Sequence, residues 1–183
     1  LIELGQPMHA FDQTRIGGGQ IRVRTARRGE TLLTLDGKQR ELSPDMLVMA
    51  DAEGAIAVAG VMGGGDSEVT NDTKTIVFES AHFDALSVRR TSKALGLKTE
   101  ASMRFERGTD PRLPVTAMER ACALLEMIGA GTARGTVVDR YPVRVEPTVL
   151  RLRRDRVIGL LGVAIPDRVV TEVLARERSV RTS

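Results

Sequence analysis

The sequence predicts an α+β fold, and three observations predict it. Strand and turn patterns fill the first ninety residues. Helical periodicity takes over from Phe83. A short tail of helical pattern then follows an extended stretch between Pro142 and Pro147. Strands grouped before helices, rather than alternating with them, is the order that separates α+β from doubly wound folds.

The strand-rich part opens with a segment that ends at Gly17-Gly18-Gly19. Ile21 and Val23 then alternate with Arg22 and Arg24, the period-two pattern of a half-buried strand. Arg28-Gly29 breaks it. Leu32, Leu33 and Leu35 lead into Asp36-Gly37, a two-residue hairpin signal closed by Leu42. Leu47 to Ala50 and Ala55 to Ala59 are short apolar runs on either side of a turn at 51–54. The following stretch, Gly60 to Gly65, is too rich in glycine for a regular element. Thr75 to Phe78 reads as a buried strand with Glu79 at its end.

Phe83 to Leu95 reads as a helix with Gly96 as its C-cap. Thr99 to Ser102 reads as a helix-entry loop. A longer helix starts after Pro114, with Val115, Met118, Cys122, Leu125 and Ile128 on one stripe, which makes Cys122 a core residue. Beyond the linker, Leu150 to Leu152 reads as a short strand. Arg153 to Leu161 and Pro166 to Leu174 read as two short helices.

Composition bounds the function. The chain has 183 residues, 42% hydrophobic and 28% charged, enough for a core and too apolar for disorder throughout. No apolar run approaches the ~18 residues of a membrane span. One cysteine rules out an internal disulfide framework, and two histidines beside it argue against structural zinc. A reducing cytoplasm is the expected location. The start at Leu1, with no initiator Met and no basic leader, reads as the middle of a longer sequence. Of 27 basic residues, 23 are Arg, and residues 140–183 hold a net +5 against −2 for the remainder. An Arg-rich tail either grips phosphate or is a solvated helix face. With one Tyr, four Phe and no Trp, base-stacking platforms are scarce, which disfavours an independent single-strand binder.

No Walker A, GxGxxG, HExxH or GxSxG pattern is present. Polar residues beside glycine or at element ends remain. His9 follows Pro7 in a turn, where a lone His reads either as a surface residue or as a functional one. Glu79 interrupts an apolar strand end, so its carboxylate needs donors or a cleft. Gly60, Gly63, Gly64 and Gly65 either let a ligand approach the backbone or form a tight turn. Arg104, Glu106 and Arg107 around Phe105 read as a salt-bridged corner.

Read together, these residues resemble a known family. The strings are Gly5-Gln6-Pro7-Met8-His9-Ala10-Phe11-Asp12, Leu35-Asp36-Gly37, Leu47-Val48-Met49-Ala50-Asp51, Ala59-Gly60-Val61-Met62-Gly63-Gly64 and Phe78-Glu79-Ser80-Ala81-His82-Phe83, followed by the long string from Gly96 to Pro111. In order and spacing over roughly residues 1–135 they resemble the beta subunit of bacterial phenylalanine–tRNA ligase. The resemblance implies a strand-rich, mixed-sheet or barrel-like editing domain over 1–138, a linker over 139–148, and the start of a small helical module over 149–183. It implies that both end domains are truncated.

It also implies a function: hydrolysis of mischarged Tyr-tRNA(Phe), inside an enzyme that attaches phenylalanine to tRNA(Phe). An apolar pocket rejects one added hydroxyl poorly, so a second site must hydrolyse the wrong ester. By the resemblance, Glu79 reads the tyrosine phenol and His9 lies near the scissile ester. Gly60 and Gly63 form one pocket wall, and Thr99 and Ala101 line the opposite side. No metal site and no cofactor are expected in this region; ATP and magnesium serve the alpha subunit. The expected partners are tRNA(Phe) and that alpha subunit, in an assembly of two alpha and two beta subunits, with no membrane. The alternative is a non-catalytic scaffold or tRNA-binding portion of the same subunit.

Overall fold

The computed structural model describes residues 1–135, 137–146 and 150–176. The chain divides into two compact units, Leu1–Tyr141 and Pro142–Ser183. The first is α+β. Its strands are β1 (Met8–Asp12), β2 (Arg22–Thr25), β3 (Thr31–Leu33), β4 (Gln39–Glu41), β5 (Leu47–Ala50), β6 (Ala55–Val58), β7 (Met62–Gly63) and β8 (Ile76–Ser80). Its helices are α1 (Ala85–Leu95), α2 (Glu100–Phe105) and α3 (Leu113–Met127). The strand-rich part resolves into three antiparallel sheets, ordered β1-β8, β2-β5-β6-β7 and β3-β4.

The apolar runs become the inner strands for a physical reason. In β5, Val48 and Ala50 join one core cluster while Met49, on the other face, joins a second. A strand covered on both faces shows no alternation, only a continuous apolar run. The larger cluster joins Leu42, Val48 and Val58 to Val88 of α1 and Phe105 of α2. Phe83 and Phe105 meet edge to face, their centroids 5.0 Å apart.

Local chemistry sets the helix ends. Asp84 caps α1 by accepting from the Ser87 N–H at 2.7 Å, and Gly96 closes it at φ +63°. Thr99 caps α2 in a reciprocal capping box with Ser102.

Several elements differ from the sequence reading. His9 lies within β1, not in a turn, and Glu79 lies inside β8 rather than at its end. The glycine-rich stretch contains β7, and Gly64 bridges to Thr34. Gly64 fits there because a Cβ would sit 2.6 Å from the Ile56 carbonyl oxygen. The hairpin at Asp36-Gly37 forms, but the Thr34 N–H donates to the Lys38 carbonyl, so three residues turn rather than two. Asp36 is occupied there, accepting from the Thr34 hydroxyl at 2.6 Å and from Arg40 at 2.6 Å. Residues 99–102 are the cap and first turn of α2 rather than a loop. The α3 stripe is only partly covered: Val115 and Ile128 are exposed, Cys122 is half-buried, and Ala117 alone is fully buried in that helix.

In the second unit, Leu150–Leu152 forms no strand. Helices α4 (Arg154–Leu161) and α5 (Asp167–Arg176) form, and neither has a buried residue. Arg154 pairs with Asp167 and Arg176 with Glu172. The end of the expected linker, the start of the module at 149 and residues 177–183 lie outside the described residues.

Candidate active site

The register of β1 against β8 places His9 directly opposite Glu79, although 69 residues separate them in sequence. Directly opposed residues present their side chains on the same face of a sheet. Both ends of the β1–β8 pair are fastened. The fully buried Gln6 donates from Nε2 to the Ala81 carbonyl at 2.7 Å, tying the entry of β1 to the exit of β8. At the other end Asp12 accepts from the Thr73 hydroxyl at 2.6 Å and the Thr14 hydroxyl at 2.7 Å. Those bonds, the Thr73 one first, hold the Asp12 carboxyl below the usual carboxylate range.

Partial burial controls the electrostatics between those ends, His9 and Glu79 both being half-buried. It pushes the Glu79 carboxyl up to about 7 and pushes the His9 imidazole down. Each shift favours the uncharged form. Among the described residues, no ion pair joins the two. His9 Nε2 is buried with no hydrogen-bond partner among the described residues. A buried nitrogen without a protein partner is uncommon and leaves a hydrogen bond open to a water or a bound molecule; Ser80 Oγ and Gln6 Oε1 nearby in sequence are in the same state. The ring is otherwise held: Phe11 meets it edge to face with centroids 4.5 Å apart.

Gly63 belongs to the same place. A Cβ on Gly63 would lie 2.4 Å from His9 Cε1, 2.6 Å from Nε2 and 3.1 Å from a Leu35 methyl. Any side chain there displaces the imidazole. The Gly63 carbonyl is meanwhile fixed by the Leu35 N–H at 3.1 Å.

The other three expected pocket residues sit differently. Gly60 adopts φ +69°, and its missing Cβ would meet Phe83 and Val88, each at 2.9 Å, so it faces the core beneath α1 and α2. The Thr99 hydroxyl donates to the Val61 carbonyl at 2.8 Å and accepts from the Ser102 N–H at 3.0 Å, which leaves it little capacity for a ligand. Ala101 is half-buried against the larger core cluster. Thr99 thus braces the segment leading to Gly63 through the Val61 carbonyl. Gln6 is what sequence reasoning missed. Its position beside Pro7 in the opening string was visible, but its amide bonds to a residue 75 positions away.

Among the described residues no three His, Cys, Asp or Glu side chains gather as a metal site. No described helix is long and apolar enough to cross a membrane. A cleft lined by Arg89, Lys93, Lys98 and Arg107 and another lined by Arg28, Glu41 and Leu95 do not include His9 or Glu79.

Comparison with known proteins places this geometry in a family. The chain is 49% identical over 165 residues to the phenylalanine–tRNA ligase beta subunit of Anaeromyxobacter dehalogenans, covering 90% of this chain and 21% of that protein. It is 47% identical over 176 residues to the same subunit of Moorella thermoacetica, covering 96% and 22%. For Symbiobacterium thermophilum the identity is 44% over 183 residues, 100% and 20%. The chain thus spans about a fifth of the length of these curated relatives. The B3/4 domain model matches residues 1–130, which include every residue of the His9–Glu79 site, and the chain belongs to the B3/4 domain family.

Proposed function

We propose that this chain is the editing region of a phenylalanine–tRNA ligase beta subunit and that it hydrolyses tyrosine wrongly esterified to tRNA(Phe). The observation that carries this reading is the cross-strand pair of His9 and Glu79, both desolvated, with the bare backbone of Gly63 against the imidazole.

The chemistry follows from those groups. Tyrosine differs from phenylalanine by a phenol O–H, a donor that a desolvated Glu79 carboxyl accepts well. Phenylalanine brings no donor and leaves that carboxyl unpaired, at roughly 1–3 kcal/mol or about 5- to 150-fold in binding. Buried groups of this kind discriminate by their unmet hydrogen bonds. His9, held neutral by burial, offers a free ring nitrogen to the attacking water or to the tRNA end. Water oxygen adds to the ester carbonyl carbon and the ester C–O bond breaks. The terminal ribose oxygen leaves with a proton, giving tyrosine and tRNA. An aminoacyl ester is activated, so orientation of the water by His9 and the ribose hydroxyl supplies much of what the step needs.

On this reading the complete enzyme joins phenylalanine to tRNA(Phe) in the cytoplasm. Two alpha and two beta subunits make it up, and ATP and magnesium act on the alpha subunit. Among the described residues no three His, Cys, Asp or Glu side chains gather to hold a magnesium ion, and no step here is routed through one. The test is deacylation of Tyr-tRNA(Phe) by the full-length enzyme. Glu79→Ala should slow it at least tenfold and leave phenylalanine attachment intact. Unchanged hydrolysis would refute the assignment and favour a scaffold or tRNA-binding role.

A further inference from the structure

A cleft of about 530 Å³ lies where α1 ends and α2 follows, away from His9 and Glu79 in its lining. Four exposed cations line it: Arg89 and Lys93 from α1, Lys98 after it, and Arg107 just beyond α2. One carboxylate, Glu106, lines it as well. Among the described residues none of the four cations has an ion-pair partner, a state shared by other surface cations of the unit such as Arg22 and Arg90; what sets these four apart is that they line one cleft. Arg89 and Lys93 stand four residues apart on one helix, so they face the same way and repel each other. The floor is firm: Leu97 and Ser92 are buried, and the Ser92 hydroxyl donates to the Leu97 carbonyl.

We propose that this cleft seats the sugar–phosphate backbone of tRNA. The inference rests on the reading of the chain as a tRNA-editing domain. Unpaired, exposed cations around an open cleft are the footprint of a polyanion. No aromatic residue lines the cleft, so bases are not stacked there and recognition is of phosphate alone. The cleft is also built on the elements that hold the site. Val88 of α1 and Phe105 of α2 close over Gly60, and the cap of α2 bonds the Val61 carbonyl two residues before Gly63. RNA seated on α1 and α2 is therefore seated on the frame that sets Gly63 against His9.

The experiment uses the full-length subunit in its native assembly. Arg89, Lys93, Lys98 and Arg107 are replaced together by Gln, and tRNA(Phe) binding is measured over a salt series. The slope of log affinity against log salt should flatten by about 2 to 4, from ~0.7–0.9 per lost phosphate contact. Affinity at low salt should fall more than tenfold. A control with Arg27, Arg28, Lys38 and Lys74 changed to Gln removes the same charge elsewhere and should keep the parent slope. An unchanged slope in the cleft variant, or an equal loss in the control, overturns the proposal. Should the fourfold variant fail to fold, Lys93→Gln with Lys98→Gln is expected to lose half the effect. Hydrolysis of tyrosyl-adenosine, which has no RNA chain, should be unaffected by the cleft variant. Failure of the cleft and failure of the editing reading are thus separable. Loss of slope without any hydrolysis by the parent keeps the cleft and discards editing; hydrolysis with an unchanged slope does the reverse.

Discussion

Glu79→Gln tests the electrostatics of the site without creating a cavity. The wild-type carboxyl sits at about 7 in the folded chain against 4.5 when unperturbed. The folded state therefore keeps a proton, between those values, that the unfolded chain releases. Stability from this group is fully present below pH 4.5 and is lost as pH rises through about 7. Raising the carboxyl from 4.5 to about 7 corresponds to about 3 kcal/mol between the two ends of that range. Gln cannot ionise, so the variant should gain about 3 kcal/mol over the wild type between about pH 4 and about pH 8. His9 titrates with the opposite sign: its lowered value gives stability that is present above 6.5 and lost on acidification. Comparing the variant with the wild type at each pH leaves in the difference the Glu79 contribution together with its coupling to the facing His9. Urea unfolding followed by far-ultraviolet circular dichroism provides the measurement. The same substitution has a functional arm. A phenol donor favours the ionised carboxyl, so wild-type preference for tyrosyl over phenylalanyl esters should grow as pH rises through about 7, and the variant should show no such rise. Two parallel stability curves would refute the claim that Glu79 is held neutral by burial.

Two further substitutions probe the frame. Gly63→Ala places a methyl 2.4 Å from His9 Cε1, so Tyr-tRNA(Phe) hydrolysis should fall at least tenfold while unfolding shifts by only about 1–2 kcal/mol; hydrolysis at the parent rate would show that the imidazole position is immaterial. Thr99→Ala removes the α2 cap and orphans the Val61 carbonyl, and urea unfolding should register a loss of about 1–3 kcal/mol that Thr99→Ser largely restores.

Much of the fold was legible because its signals are local. Gly96 announced the end of α1, and Asp36-Gly37 announced the β3–β4 hairpin. The continuous apolar runs at Leu47–Ala50 and Ala55–Val58 matched strands covered on both faces. What failed was whatever depends on distant partners. Gln6-Pro7-Met8-His9 looks like a turn because Pro7 lacks an N–H for a ladder; it enters a strand because β8 supplies its partners from nearly seventy residues away. The α3 stripe has helical spacing, yet spacing cannot say that Val115 and Ile128 stay exposed.

The site shows the same division. Residue identity at His9, Glu79 and Gly63 was available from the sequence, while the reason they act together was not. Cross-strand register makes His9 and Glu79 neighbours, and that register is fixed by bonds outside the pair, from Gln6 to Ala81 and from Thr73 to Asp12. A sheet that slipped by one residue would turn Glu79 to the opposite face. The two fastenings therefore set which side chains face each other without belonging to the pair. Gly63 completes the argument by exclusion: its value is the side chain it lacks, since any Cβ takes the space of the imidazole. Gly60, with the same composition signal, has the same lack filled by Phe83 and Val88. One glycine thus makes room for the His9 ring and the other for the core. Only the atoms around each, never the glycines themselves, distinguish the two.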